Sequence, residues 1–374
     1  MAVKTINVVQ KEGYWNGIRE AAAVLDDGGV VVFPTETVYG VAARVDRTDA
    51  LQRLRDAKNR SPDKPFTIHI PRRSDAERYV PDLGSYAKRF VRKGWPGPLT
   101  LVMRTEAPKK TPIAANLDPA AVEAIYHDNT VGLRCPDDPV AADLLSETSG
   151  PVVAASANPH GHKAPRTAEE ASRALNGTAD LVLDGGAARY NKSSTIVRVD
   201  NNGYEVIREG VYDDRMLRGL LKLNILFVCT GNTCRSPMAA AIARHSVATK
   251  LGCDVGALGE RDIEIDSAGT FARSGGPPSP QAVTVLDARG IDISHHGAKP
   301  LTTELIQRAD HIFTMTASHR EAIMRMEASA AERTTTLLAD ADLADPFGDT
   351  QEVYANCADR IEQAINERLT EEPL

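Results

Sequence analysis

The sequence lacks the features that mark membrane proteins, secreted proteins and zinc proteins. No apolar run approaches the roughly 20 residues needed to cross a bilayer, and the opening segment MAVKTINVVQ has no apolar signal-peptide core. The cysteines form no C-x-x-C pair, so the sequence supports neither a zinc site nor a disulfide framework. We therefore expect a cytoplasmic protein with no metal site and with reduced thiols at Cys135, Cys229, Cys234, Cys253 and Cys357.

The length and composition of the chain indicate two globular domains. A single hydrophobic core stops growing at about 250 to 300 residues, and this chain has 374 residues, of which 42% are hydrophobic and 25% charged. Residues 1–223 carry 31 Lys and Arg against 29 Asp and Glu, whereas residues 224–374 carry 13 against 22. The first part therefore predicts local basic clusters for an anionic small molecule, and the acidic second part argues against a nucleic-acid surface.

The order of apolar segments predicts an α/β fold. β-branched runs such as GVVVFP, PFTIHI, GPVVAAS and STIVRV alternate with helical patterns such as TDALQRLRDAKN. The segment VYDDRMLRGLLK is helix-like and leads into a fresh apolar run, LNILFVC. We therefore predict a first domain over residues 1–212, a linker over 213–223 and a second domain over 224–374.

Two polar clusters in the first part are candidates for a binding site. PTETVYGVAA follows an apolar run and places the hydroxyls of Thr35, Thr37 and Tyr39 beside a glycine, although a pattern of this kind, taken alone, more often reflects local capping of a turn than a binding site. KNRSPDKPFTIHI brings three cations into one Pro-interrupted loop, a pattern that suits a polyphosphate but also an ordinary solvated loop. Arg134, the small-residue loop AASANPHGHKAP, Ser194 and Arg208 have the same character.

Together these segments resemble the threonylcarbamoyl-adenylate synthase family over roughly residues 10–212. PTETVYG, K-x-R-x-x-x-K-P, WPGPLT, VGLRCPDDP, SAN and STIV occur in the family's order and spacing. The resemblance implies a YrdC-like fold, which is an open twisted α/β sheet with a positively charged concave face. It also implies an enzyme that joins L-threonine, bicarbonate and ATP, with Mg²⁺, into threonylcarbamoyl-AMP for the N6-threonylcarbamoyladenosine modification of tRNA.

The same resemblance assigns roles to individual residues. No protein nucleophile is needed, because cations can bring carbamate and triphosphate together and offset the charge of the leaving pyrophosphate. Proteins that transfer the product to tRNA would be partners. The alternative functions for the first part of the chain are an RNA-binding module and a carbamoyltransferase of the hydrogenase-maturation kind. Threonine would be held by Thr37, His69, Arg134 and Ser194, and the nucleotide by Lys58, Arg60, Lys64, Thr130, Ser156, Asn158 and Arg208.

The strongest motif of the chain opens the second part. LFVCTGNTCRSPMAAAIARH places Cys229 and Arg235 in a C-x5-R loop that leads into a helix. Five intervening residues let the backbone curl so that successive N–H groups, with a helix N-terminus behind them, surround a phosphate-sized dianion. The same field stabilises a thiolate nucleophile at Cys229, and Arg235 can grip two phosphoryl oxygens. The remaining loop residues are Thr230, Gly231, Asn232, Thr233, Cys234 and Ser236.

When a thiolate attacks phosphorus, an acid must protonate the leaving group, and Asp345 in ADPFGD is the candidate acid. Asp-Pro alone indicates only a turn. However, residues from about 224 to 370 resemble the low-molecular-weight protein tyrosine phosphatase family through the C-x5-R loop, DSAGT, GIDISHHGAKPL and ADHIFTM. The resemblance implies a doubly wound parallel sheet, a phosphocysteine at Cys229, and Asp345 as acid and then base, with no cofactor.

The substrate expected for the second part is a phosphoprotein. CTGNTCRS followed by DPFG looks more like the protein-arginine phosphatases of this family than its tyrosine phosphatases. The Thr233 hydroxyl could orient a water or a guanidinium, and Phe347 could flank a slim side chain. We therefore favour phosphoarginine over phosphotyrosine and small phosphoesters. An arsenate reductase on the same fold needs a resolving cysteine pair, and Cys253 and Cys357 are widely separated.

Two smaller features have more than one interpretation. Cys234 can form a reversible disulfide with Cys229 under oxidation, or it can simply pack the loop. His295 and His296 are adjacent, with no third ligand nearby in the sequence. We therefore expect both histidines to lie at the surface rather than to bind a metal.

Overall fold

The chain divides into two compact units, Met1–Leu220 and Leu221–Leu374. The computed structural model describes residues 3–61, 64–159, 161–175, 177–201, 203–339 and 341–371. The helix-like segment before the second unit is a helix over Asp214–Leu221, and its Leu217 is fully buried. None of the helices in these described ranges is both long enough and apolar enough to cross a membrane.

The first unit is built on one mixed sheet, in the order β1-β8-β2-β3-β7-β4-β6-β5-β9-β10. Its strands are β1 (Lys4–Asn7), β2 (Val31–Phe33), β3 (Gly40–Arg44), β4 (Thr67–His69), β5 (Leu99–Arg104), β6 (Thr130–Arg134), β7 (Val152–Ser156), β8 (Leu181–Asp184), β9 (Thr195–Asp200) and β10 (Gly203–Arg208). Its helices are α1 (Tyr14–Asp26), α2 (Thr48–Ala57), α3 (Ser85–Gly94), α4 (Pro119–Ile125), α5 (Pro139–Glu147), α6 (Ala168–Leu175) and α7 (Asp214–Leu221).

Apolar residues at helical spacing hold α1 and α5 on this sheet. In α1, Ile18, Ala21 and Leu25 recur every three to four residues and are fully buried against β2 and β8. Helix α5 begins at Pro139, where the backbone N–H of Ala141 donates to Asp138 at 3.1 Å. This cap starts α5 shortly after β6 ends.

The second unit is a four-stranded parallel sheet in the order β12-β11-β13-β14. Its strands are β11 (Leu223–Cys229), β12 (Ile263–Gly269), β13 (His311–Thr314) and β14 (Thr334–Thr336). Its helices are α8 (Arg235–Leu251), α9 (Pro280–Asp287), α10 (Thr303–Arg308), α11 (Ala317–Met326) and α12 (Gln351–Glu371).

The central strand β11 has a core on each face. Ile225 and Phe227 pack with residues of α8, α9 and α12, whereas Leu226 and Val228 pack with residues of α10 and α11. This follows from the two-residue period of a strand and explains why LNILFVC is apolar almost throughout. The predicted α/β fold of both units, with a doubly wound parallel sheet in the second, is confirmed.

The packing of Phe227 gives a testable expectation for stability. This side chain is 1% exposed and stacks on Phe313 with ring centroids 5.5 Å apart. We expect Phe227→Ala to lower the free energy of unfolding of the second unit by about 3 to 5 kcal/mol, the range typical of a truncated core phenylalanine. Urea unfolding measures the change. Phe271, which is 85% exposed, is the control, and equal losses for Phe227→Ala and Phe271→Ala would contradict this description of the core.

Candidate active sites

Six neighbouring strands of the first unit contribute residues to one cavity on a single face of the sheet. Gly40 of β3 is opposite Ser156 of β7, and Arg134 of β6 lies between His69 of β4 and Thr100 of β5. Paired residues of adjacent strands share a face of the sheet. A cavity of about 290 Å³, here called the first-unit cavity, lies on this face. Its lining includes Thr35, Lys58, Arg60, Lys64, Thr67, His69, Thr100, Arg134, Ser156, Ser194 and Arg208.

The first-unit cavity is strongly positive. Lys58, Arg60, Lys64, Arg134 and Arg208 all line it, and no Asp or Glu from the described part of the chain does so. Low-dielectric walls that carry one sign of charge concentrate ligands of the opposite sign. The arrangement is therefore suited to anions, and the cations come from segments that are far apart in the sequence.

Backbone carbonyl groups hold several of these cations in place. The Lys58 ammonium donates to the carbonyl of Ser156 at 2.6 Å and also to the carbonyl of Asn158. Arg208 donates to the carbonyl of Ser194 at 2.8 Å. Burial, followed by the charges of Arg60 and Arg208, lowers the pKa of Lys58 to about 8. Lys58 therefore ties the loop after β7 to the end of α2, with Asn158 behind the cavity wall.

Arg60 is held in the same way. Its Nε donates to the carbonyl of Lys64 at 3.2 Å, and its Nη2 donates to the carbonyl of Pro65. The guanidinium also lies 5.0 Å from the centroid of the Phe66 ring, in a cation–π contact. Its position is therefore largely set before any ligand arrives.

Arg134 has a different set of partners. Its Nη2 donates to Thr37 Oγ1 at 2.6 Å and lies 3.1 Å from Glu36 Oε1. Thr37 and Glu36 are fully buried and do not line the cavity. Thr37 therefore acts on a ligand through Arg134 and through Thr35, whose hydroxyl lies 2.9 Å from its own. Sequence reasoning missed Glu36, although it lies inside the PTETVYG segment that was singled out.

His69 is a neutral hydrogen-bonding group. Burial, aided by the nearby charge of Arg134, lowers its pKa to about 3. Its Nδ1 lies 3.2 Å from the carbonyl oxygen of Thr67. Since a carbonyl can only accept, we assign the single ring proton to Nδ1, which leaves Nε2 as an acceptor.

Thr130 is the one predicted residue of this set that lies away from the cavity. It begins β6, four residues before Arg134, and its hydroxyl donates to the carbonyl of His127 at 2.8 Å. It is not among the residues that line the first-unit cavity. The other predicted residues either line the cavity or, like Thr37 and Asn158, contact a side chain that does.

In the second unit, the C-x5-R segment forms a closed loop between β11 and α8. Cys229 Sγ lies 3.0 Å from Ser236 Oγ, and it accepts the backbone N–H of Asn232 at 3.2 Å. Asn232 adopts a positive φ of 55°, which asparagine tolerates better than most residues. Its side-chain amide donates to Ser236 and Ser267, each at 2.9 Å. Asn232 and Ser236 thus fix the shape of the loop around the sulfur.

Glycine at position 269 lets β12 end against this loop. A Cβ on Gly269 would lie 2.4 Å from the carbonyl oxygen of Thr230 and 2.9 Å from the backbone nitrogen of Asn232. Both distances are shorter than van der Waals contact allows. The glycine of DSAGT is therefore required by the close approach of two backbones. It places the following residues beside the C-x5-R loop, residues 229–236, here called the phosphate loop after its predicted role.

Arg235 and Asp345 meet at the wall of the second-unit cavity, a space of about 370 Å³ above Cys229. Arg235 donates to Asp345 Oδ2 at 2.5 Å and to the carbonyl of Leu343 at 3.0 Å. The cavity thus brings together a candidate nucleophile, a cation and an acid. Its lining consists of Cys229, Thr230, Gly231, Thr233, Cys234, Arg235, Phe271, Arg273, Gly276, Asp345 and Phe347.

Two exposed aromatic side chains form the rim of the second-unit cavity. Phe271 is 85% exposed and Phe347 72% exposed. The segment that carries Phe271 is attached to the phosphate loop at both ends, by the bonds from Phe271 N to Thr230 O and from Ser279 N to Thr233 O, each 2.9 Å. Phe347 was expected to flank the substrate, whereas Phe271 and Arg273 carry no motif that could have identified them.

Two histidines support the phosphate loop. His319 Nε2 lies 2.9 Å from the Thr230 hydroxyl, and burial lowers the pKa of His319 to about 4. His296 Nε2 lies 2.9 Å from the carbonyl oxygen of Asn232. The expectation of a surface position is met only in part by His296, which is half-buried because the turn after Ile293 folds it back onto the loop. Only His295 is exposed.

The remaining cysteines of the second unit are free thiols. Cys234 is buried, with its sulfur 3.3 Å from the hydroxyl of Tyr354. This contact agrees with a packing role for Cys234 and leaves the predicted redox role a prediction. Across the described ranges, no group of three or more His, Cys, Asp or Glu side chains is arranged to hold a metal ion.

Comparison with known proteins relates each unit to a family. Residues 23–210 match the Sua5/YciO/YrdC family model, described as telomere recombination, and residues 224–372 match low molecular weight phosphotyrosine protein phosphatase. A threonylcarbamoyl-AMP synthase of Bacillus subtilis is 34% identical over 52% of this chain, which spans about half (53%) of that relative. A protein-arginine-phosphatase of Geobacillus stearothermophilus is 40% identical over 39% of this chain and 93% of its own length.

A solved structure of a double variant of P. abyssi Sua5 is similar in fold. It is 20% identical, covers 89% of this chain and 98% of its own, and has a TM-score of 0.51. At this identity the likeness concerns the fold alone. Because both family models match, the chain belongs to the Sua5/YciO/YrdC family through its first unit and to the low-molecular-weight phosphatase family through its second.

Proposed function

We propose that the chain is a bifunctional enzyme whose first unit makes L-threonylcarbamoyl-AMP from L-threonine, bicarbonate and ATP, for N6-threonylcarbamoyladenosine in tRNA. The observation that carries this proposal is the first-unit cavity, with five cations and no described carboxylate on its wall. All three substrates carry anionic groups. The family of the first unit and the name of its B. subtilis relative support the same reaction.

The geometry suggests how threonine is held. Arg134 uses Nη2 on Thr37, which leaves other guanidinium N–H groups for the threonine carboxylate. His69 Nε2 is free to accept from the hydroxyl or the amine of threonine. Ser194, fixed by Thr100 at 2.9 Å and by Arg208, lies across the same corner. A neutral imidazole is an advantage here, because its Nε2 can accept a hydrogen bond from threonine without adding another positive charge to the cavity.

The proposed reaction needs positioning rather than a protein nucleophile. The threonine nitrogen attacks the carbon of bicarbonate, and loss of water gives a carbamate. A carbamate oxygen then attacks the α-phosphorus of ATP, and the bond to pyrophosphate breaks. Arg60, Lys64 and Arg208 would offset the charge that grows on the departing pyrophosphate. Mg²⁺ would come with ATP, held by phosphate oxygens and water, since the described wall offers hydroxyl groups but no carboxylates.

The synthase assay should depend on all three substrates. We expect pyrophosphate release from purified protein only when ATP, L-threonine and bicarbonate are present together. Arg60→Ala should lower the rate by about 10²-fold or more, the size typical for loss of one preorganised electrostatic contact. Arg53→Ala on α2 is the control, since Arg53 pairs with Asp180 and does not line the cavity. Tight RNA binding without turnover would instead favour an RNA-binding module.

The burial of Lys58 predicts a specific pH dependence of stability. Its folded pKa of about 8 is below the value of about 10.4 for an unfolded lysine, so between these pH values the unfolded chain binds more protons. The unfavourable contribution of the buried Lys58 ammonium to the free energy of folding is present in full below pH 8. It decreases as the pH rises to about 10. We therefore expect wild type to gain stability relative to Lys58→Met between pH 7 and pH 10, measured by urea unfolding. The exposed Lys109→Met is the control, and a wild-type-to-Lys58→Met difference that stays constant with pH would refute this expectation.

For the second unit, we propose a cysteine-dependent phosphatase that acts on phosphoarginine in proteins. Cys229 would attack phosphorus while Asp345 protonates the leaving nitrogen, so that an S–P bond forms and the P–N bond breaks. A water activated by Asp345 would then break the S–P bond and release phosphate. The exposed Phe271 and Phe347 rings suit the flat faces of a guanidinium, and the G. stearothermophilus relative is named a protein-arginine-phosphatase.

Substitution of the nucleophile should separate the two activities. We expect Cys229→Ser to abolish hydrolysis of a phosphoarginine peptide and to leave threonine-dependent pyrophosphate release unchanged. Cys253→Ser, at a half-buried thiol away from the second-unit cavity, should retain both activities. Phosphate release from phosphoarginine and phosphotyrosine peptides of the same sequence measures the preference. Normal hydrolysis by Cys229→Ser would rule out this nucleophile, and faster turnover of the phosphotyrosine peptide would reverse the substrate assignment.

A further inference from the structure

Glu36 is a buried carboxylate with an unusual set of surroundings. Its side chain is 0% exposed, and neither carboxylate oxygen has a hydrogen-bond partner among the described residues. Among the described residues its ion-pair partner is Arg134, whose Nη2 lies 3.1 Å from Oε1 in a contact that lacks hydrogen-bond geometry. Burying a carboxylate is costly unless a nearby cation offsets it. The position of Glu36 is thus explained by its charge and by Arg134.

The pair makes Arg134 different from the other cations of the first-unit cavity. Lys58, Arg60, Lys64 and Arg208 are held mainly by carbonyl oxygens or lie at the surface, and no described carboxylate pairs with any of them. Among the described residues, no carboxylate offsets the charge of those four. At the Arg134 corner, by contrast, Glu36 cancels the charge, and Nη2 is already occupied by Thr37. What remains for a ligand is the directional donor capacity of the guanidinium.

This difference matters because two kinds of anion must occupy one cavity. A triphosphate carries several charges and is drawn most strongly to uncompensated cations. A carboxylate carries one charge and can be recognised through the geometry of a guanidinium edge. A cavity with five equivalent cations would let phosphate groups occupy the amino-acid position. Cancelling the charge at one corner removes that competition while keeping the donors.

We propose that Glu36 is a specificity-determining residue that reserves Arg134 for the carboxylate of the amino acid by making that corner unattractive to polyphosphate. The inference rests on the proposed synthase function and adds the means by which its two anionic substrates are sorted. Glu36 acts through Arg134 and does not touch substrate, since it is absent from the cavity wall.

Steady-state kinetics with inorganic pyrophosphate as the probe tests this proposal. With wild type, pyrophosphate should compete with ATP but not with threonine. With Glu36→Gln, pyrophosphate should also compete with threonine. At saturating ATP the apparent KM for threonine should rise by about tenfold, because phosphate groups then compete for Arg134. The KM for ATP should stay within about twofold of wild type, well below that change. Glu36→Asp keeps the charge, so it should keep the wild-type inhibition pattern, in which pyrophosphate does not compete with threonine.

A matched control separates this role from simple loss of structure. Asp26→Asn removes the carboxylate from another buried arginine of the same unit, Arg44, which lies 2.7 Å from it and outside the first-unit cavity. Asp26→Asn should lower the thermal midpoint and leave the inhibition pattern as in wild type. Wild-type inhibition by pyrophosphate in Glu36→Gln, or the same change in Asp26→Asn, would overturn the inference. Absence of threonine-dependent turnover in wild type would instead overturn the proposed function.

Discussion

Repulsion between like charges is the constraint on which the first unit depends. Five cations line one cavity of about 290 Å³. Within so small a volume each cation repels the other four, and the partly buried charges are poorly screened. The fold offsets this cost with dipoles rather than with carboxylates on the cavity wall. Carbonyl oxygens hold Lys58, Arg60 and Arg208, and threonine hydroxyls and one hidden glutamate hold Arg134. Because dipoles reduce repulsion without neutralising charge, the cavity stays attractive to anions.

The sequence predicts most of the fold because its signals are local. The apolar run that becomes β11 is continuous because its two faces meet two separate cores, formed by residues such as Phe227 on one side and Val228 on the other. The helix over Asp214–Leu221 follows from its amphipathic pattern. The strand order of the ten-stranded sheet was not predictable in this way, because neighbours such as β3 and β7 are more than a hundred residues apart and their pairing depends on the whole unit.

The candidate sites were predictable where chemistry requires a fixed spacing. The C-x5-R loop requires Cys229 and Arg235 six positions apart, so the sequence alone identifies it. Glu36, His296 and His319 act through contacts with residues far away in the chain, and no spacing rule identifies such contacts. Thr130 illustrates the reverse case, since it lies in a recognisable segment but at the end of β6 remote from Arg134. Motif membership indicates which segment contributes to a site, whereas strand register decides which residue of that segment reaches it.

Under the proposed functions, the two units would bind anions in physically different ways. The first would use long side chains, whose charges are partly lost when one of them, Lys58, releases its proton near pH 8. The second would use backbone N–H groups of the loop that leads into α8, which carry no titratable charge, and Asn232 and Ser236 fix the shape of that loop. Side-chain cations can follow a substrate that changes shape as carbamate and pyrophosphate form, so they suit a reaction between several small molecules. A rigid ring of amides suits a single tetrahedral group and a sulfur nucleophile that must face phosphorus in line. The choice between cations and amides therefore follows from how far the anion moves during each proposed reaction.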